Sequence, residues 1–172
     1  MSDDAQTILV VLTLLALLGL LLTPFLAFLI YVFYQNSKRR RVRDKVLAAH
    51  QQLIGNHKPI AVRYCSEPRF KAWFKIFPWE GAGVLLPSSG NVMFVGEKMS
   101  GAPVVLQFAR GNSEIKWLGK CPWPNGAVSW FEFDLPGEKH YFTSETGAFV
   151  FGSRKATEAI YAEANNSFAG LA

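Results

Sequence analysis

Apolar positions run from Ile8 to Tyr34 without a single charged residue, and the run ends in the stretch "YVFYQNSKRRRVRDK". Before Tyr31 only Thr13 and Thr23 bring polar side chains into it. This exceeds the roughly 20 apolar residues that a helix needs to cross a bilayer, and at about 1.5 Å per residue it reaches about 40 Å. The pattern predicts a transmembrane helix over 8–34, tilted or projecting a turn beyond the lipid. Pro24 lies inside it, where local adjustment absorbs one lost backbone hydrogen bond.

Beyond the bases, Val42, Val46, Ala49 and Leu53 recur at four, three and four residues, which predicts that 35–57 continues as a basic juxtamembrane helix or linker. Gly55 and Asn56 are its expected stop. From Pro59 the texture changes to short apolar or alternating runs: "IAVRYC", "AGVLLP", "NVMFVG", "PVVLQF", "EIKWL", "VSWFEFD" and "HYFTS". Turn signals such as "PSSGN", "ARGNS" and "LPGEK" separate them. Seven short runs so spaced predict an antiparallel barrel or sandwich of about seven strands. Ala156, Ile160, Ala164 and Phe168 then form a four-residue stripe with Tyr161 beside it, so a carboxy-terminal helix capped by Ser153 is expected to close the sheet.

Charge orients the chain. A signal peptide carries its bases before a shorter apolar core. Here Asp3 and Asp4 precede the run and Lys38, Arg39, Arg40, Arg41, Arg43 and Lys45 follow it, which predicts an uncleaved single-pass anchor. The positive-inside rule puts residues 1–7 outside and 58–172 in the cytoplasm as one domain. The chain carries a formal net charge of +5, yet after Lys45 twelve Lys and Arg face ten Asp and Glu. The basic excess therefore belongs to the membrane exit, which argues against a nucleic-acid partner. Cys65 and Cys121 form no CxxC and no Cys/His cluster, so two free thiols are expected and no metal or other cofactor.

Seven short strands and one closing amphipathic helix resemble the pleckstrin-homology (PH) superfold, in particular GRAM-like and bacterial PH-like modules. The resemblance covers about Pro59 to Phe168 and rests on "GVLLPSSGNVMFVGEK", similar to the paired early strands, and on "WFEFDLPGEKHYFTSETGAFVFGSRKATEAIY", similar to the final hairpin and helix. It implies a mainly-β interaction module. Phosphoinositide-binding members carry a basic cluster in their first loop, whereas "PSSGN" is uncharged.

Three features bear on chemistry. "RFKAWFKIFPW" fits two periods: Phe70, Trp73, Phe74 and Phe77 share a helix face, as in an interfacial helix, and the same letters alternate as in a strand. The PH-like order favours the strand, with Trp73, Phe77 or Trp79 partly exposed. In "GKCPWPNG" two prolines stiffen the backbone around Trp123, which can present the indole to a partner or fold it back over the barrel mouth. Glu80, Glu97, Glu132, His140 and Glu145 match no catalytic spacing and are expected at solvated strand edges.

The sequence thus predicts a membrane-tethered, non-catalytic PH-like interaction or scaffold module at the cytoplasmic face. Its expected partners are the bilayer, anionic lipids at the basic cluster, and a membrane or cytoplasmic protein at Trp73, Phe77, Trp79 and Trp123. The alternative is an accessory subunit or assembly factor of a larger membrane enzyme or transporter.

Overall fold

The computed structural model describes residues 3–54, 58–75, 77–121, 125–126, 128–145 and 154–170. Helix α1, Asp3–Ala49, runs unbroken through Pro24. Its apolar side chains between Ile8 and Tyr34 are largely exposed, with Leu20 and Leu21 at 72% and 73%. The Thr13 and Thr23 hydroxyls donate to the carbonyls of Leu9 and Gly19 within their own helix. By length and composition this helix is able to cross a membrane.

The chain forms two compact units, Met1–Lys38 and Arg39–Ala172. The second contains the end of α1, a one-turn α2 (Gln51–Ile54), then β1 (Ile60–Ser66), α3 (Glu67–Lys71), β2 (Gly81–Ser88), β3 (Asn91–Lys98), β4 (Pro103–Ala109), β5 (Glu114–Lys120), β6 (Ser129–Leu135), β7 (Glu138–Ser144) and α4 (Arg154–Ala169). Each of the seven apolar runs forms one strand. The expected stop at Gly55 and Asn56 and the expected cap at Ser153 lie outside the described residues.

All pairings between strands are antiparallel, in the order β4-β3-β2-β1-β7-β6-β5, so the sheet is a half-barrel. First and last strands meet at its centre, while β4 and β5 form its two edges. Helix α4 packs against β2 and β3 from one half and β5, β6 and β7 from the other. Strand alternation sends Val62, Tyr64, Leu85, Phe94, Phe108, Phe131, Phe133 and Phe142 into one core, which Ala164 and Phe168 of α4 help close. Ile160 and Tyr161 pack against it from partly buried positions. The Thr157 hydroxyl accepts from Ser144 N at 3.1 Å and donates to Ser144 Oγ at 3.0 Å, fastening α4 to the end of β7.

The opposite face is covered too, which a simple inside-outside alternation does not foresee. Val84 and Leu86 of β2 and Val95 of β3 pack with Val46, Val42 and Leu47 from the last turns of α1. The helix periodicity of Val42 and Val46 thus has a partner, and these residues belong to the compact unit Arg39–Ala172. Cys65, Trp79, Val128, Trp130 and Tyr141 form a further cluster, with Phe70, Phe77, Met99 and Cys121 against it.

"RFKAWFKIFPW" is not a strand, nor one interfacial helix. The first strand is β1, and Pro68, which has no N–H to give a ladder, sits at the first turn of the five-residue α3 that follows it. From Ala72 to Glu80 the described residues belong to no strand or helix. The titratable groups expected at solvated edges are instead drawn in. Glu80 accepts from Ser66 N and pairs with Lys98, and Glu132 is buried beside Lys139. Glu145 pairs with Arg43, and His140 is buried with its Nδ1 3.1 Å from Tyr64 Oη.

Candidate functional site

The segment between α3 and β2 reverses the usual disposition of its residue types. Its cations point inward. Lys75 Nζ donates to the carbonyls of Arg69 and Phe70 at 2.9 and 2.8 Å and to Asn125 Oδ1, while Arg69 Nη2 donates to the Phe77 carbonyl at 3.3 Å. Burial pulls the Lys75 ammonium below its ordinary range. Phe70 is held face to face with Tyr141, ring centroids 3.8 Å apart, and edge-on to Trp130 at 5.5 Å. Trp130 in turn donates from Nε1 to the Asn125 carbonyl, so the β5–β6 connection is tied to the same framework.

Two of its four aromatics, Trp73 and Phe74, point outward. Trp73 is 83% exposed and Phe74 84%, the most exposed large apolar side chains among the described residues of the second unit. Lys71, paired with Glu67 at 2.5 Å, keeps 70% of its side chain in solvent on the flank. Tied by these hydrogen bonds on its inner side, the segment presents two adjacent aromatic rings to the outside.

The same segment ends in an arginine stack on Trp79. The Arg63 guanidinium is 4.1 Å from the Trp79 ring centroid and that of Arg39 is 5.0 Å away, with Phe77 packed on the same indole at 5.4 Å. Burial pushes Arg63 down to about 9, Arg39 adds to the shift, and Glu145 opposes it. Arg39 is lowered for the same first reason, again against Glu145. A guanidinium in such a place stays charged at neutral pH, so the stack is cationic and its indole serves as a partly desolvated platform.

The sequence-derived sites therefore separate. Trp73 is exposed, Phe77 is half-buried, and Trp79 is 3% exposed with the guanidiniums of Arg63 and Arg39 over its ring. Trp123 lies outside the described residues. Within the basic cluster only Arg40, Arg41 and Lys45 are exposed, and Lys45 contacts Glu97 at 3.4 Å. Arg43 spans Asp44 and Glu145, Lys38 is half-buried, and Arg39 is 5% exposed. Sequence reasoning missed Phe74, Arg63 and Glu145 as members of this region. The one available signal was Arg63 in the middle of an otherwise apolar strand.

Chemistry elsewhere is quiet. Among the described residues no three His, Cys, Asp or Glu converge on a metal-holding geometry. Cys65 is buried with its thiol pushed up to about 12 by desolvation, and burial raises Cys121 as well. Cys65 and Cys121 are both free. A shallow depression lined by Glu114, Asp134 and the turns Gly111–Ser113 and Pro136–Gly137 is open to solvent. No family model matches the chain, and neither a curated protein nor a solved structure is similar to it.

Proposed function

We propose that the protein is a single-pass membrane protein holding a PH-like, non-catalytic interaction module at the cytoplasmic face. The observation that carries the interaction reading is the pair of adjacent aromatics, Trp73 and Phe74, left outside by a segment whose cations are tied inward. Exposed aromatics on a rigid support give contact area at small entropic cost. The PH-like reading is supported by the meander order with β1 against β7 and by a terminal helix packed on both halves of the half-barrel. Membrane insertion is supported by the exposed apolar surface of α1, which suits lipid as its solvent. The cytoplasmic orientation rests on the bases that follow the run. The buried carboxylates support a structural role, since each is paired to a neighbouring cation.

Topology is tested with a membrane-impermeant maleimide on intact cells. Ser2→Cys should label from outside, and Asn112→Cys, in an exposed turn, only after permeabilisation. The opposite pattern reverses the orientation. The natural acceptor "NNS" at Asn165 is a poor reporter, because it lies within α4 and its Ser167 is buried. Proximity labelling from the module, with the anchor intact, then identifies the partner. A stoichiometric multi-spanning protein retained in mild detergent would favour the accessory-subunit reading.

A further inference from the structure

We infer that the Trp73–Phe74 tip takes the bilayer itself as its ligand, entering the headgroup and upper acyl layer beside the anchor and giving the folded unit a second, reversible attachment. This rests on the membrane reading above.

Four observations favour lipid over a protein surface. The two rings are consecutive and more than four-fifths exposed, so they form a protruding wedge rather than the wall of a recess. A fluid interface accommodates such a wedge without shape complementarity, and Trp is enriched at that depth. The flanking exposed cation is Lys71, whose long side chain is able to lie along apolar surface with its ammonium among phosphates. Along the chain, Arg39, whose guanidinium lies over the Trp79 ring, follows the last residue of the apolar run by five positions. Finally, the anchor keeps the bilayer at high effective concentration, so two side chains suffice where a soluble protein would need more.

The segment's internal hydrogen bonds give the proposal its physical form. Lys75 and Arg69 hold the backbone from within, so insertion needs no refolding and no charge has to be buried.

The test uses the full-length chain in phosphatidylcholine nanodiscs whose acyl chains are either plain or brominated near the carbonyl end. Emission due to Trp73 is the difference between the native protein and Trp73→Tyr. Bromination should remove most of that difference, aqueous iodide should leave it intact, and Phe74→Ser should restore part of the emission in brominated discs. A difference emission indifferent to bromine and open to iodide overturns the inference. Shielding from both quenchers also overturns it, because the ring then lies against this protein's own surface rather than lipid. Ile30→Trp, exposed near the basic end of the apolar run and so close to the depth of the bromines, separates the two readings. If it is quenched while Trp73 is not, only this inference falls; if it is not quenched, the membrane reading falls and takes the inference with it.

Discussion

The guanidinium of Arg39 lies 5.0 Å from the ring centroid of Trp79, although forty residues separate them in the chain. One member of the basic run after the apolar helix is thereby part of the folded unit's interior. Its neighbours Arg40 and Arg41 face solvent. Six adjacent bases that read alike in sequence have different jobs.

Arg39→Gln should therefore lower the stability of the folded unit by about 1–3 kcal/mol, the range of a desolvated cation–π contact together with a buried carboxylate left short of charge. The carboxylate is Glu145, whose side chain is 7% exposed. Arg40→Gln combined with Arg41→Gln should stay within about 0.5 kcal/mol of native. Urea titrations of the detergent-solubilised chain, followed by tryptophan emission, measure both. Equal effects from the two variants would remove Arg39 from the interior.

Much of the fold was legible because turn residues separate seven apolar runs, and turn chemistry is local. Ala164 and Phe168 were legible because α4 buries one stripe. What was not legible is tertiary in origin. "RFKAWFKIFPW" satisfies both the helical and the strand period, and the decision falls to Phe70, captured between Tyr141 and Trp130 from distant strands. Likewise, the burial of Trp79 was not legible because the two arginines over its ring come from positions 39 and 63. Trp73 is exposed as the sequence reading expected, and its exposure needs no distant contact.

Gly83 and Gly96 face each other across β2 and β3, and the Phe94 ring fills the space that a side chain would take. A Cβ at Gly83 would stand 2.3 Å from the Val95 carbonyl oxygen and 2.8 Å from Phe94 Cε2. The backbone contact cannot be relieved by a rotamer change. Gly83→Ala should cost about 1–3 kcal/mol or more, despite being the smallest possible addition. A Gly90→Ala control at a turn, with φ +75° and open space around it, should cost about 1 kcal/mol through backbone strain. A fall in unfolding temperature for Gly83→Ala no larger than the control's would show that the sheet relaxes at this point.

Stability should fall on mild acidification because of His140. Burial holds its imidazole below the ordinary value of 6.5, with Glu138 and Glu80 opposing the shift and Lys98 adding to it. The unfolded chain therefore binds a proton before the folded one does. Stability is full above about pH 6.5, declines as pH drops through the window between the unfolded and folded values, and levels off below the folded one. His140→Phe removes this component while keeping a ring beside Tyr64 and Phe108. Subtracting its pH–stability profile from the native one should leave a slope confined to that window. A difference that is flat from pH 7 to 5 would mean that His140 titrates alike in both states.

The last prediction concerns where the folded unit begins. A fragment starting at Lys58 keeps all seven strands and α4, and the sequence pattern alone makes it self-sufficient. The structure gives it a missing face. Residues 39–57 supply Val42, Val46 and Leu47 against Val84, Leu86 and Val95, and supply Arg39 against Trp79. Val84, Leu86 and Val95 are no more than 3% exposed, and fully burying each such side chain is worth about 1.5–3 kcal/mol. Uncovering all three thus removes several kcal/mol from a domain whose net stability is on the order of 5–15. It also leaves an apolar patch on the outer face of a sheet, a surface prone to association. The fragment 39–172 should therefore be soluble, monomeric and cooperative in unfolding. The fragment 58–172 should have a lower urea midpoint, bind a hydrophobic dye and self-associate on a sizing column. Replacing Val84, Leu86 and Val95 by Thr in the shorter fragment should suppress association without restoring stability, because the lost contacts stay lost. Identical midpoints for the two fragments would mean that the helix end rests on the sheet without contributing to its stability.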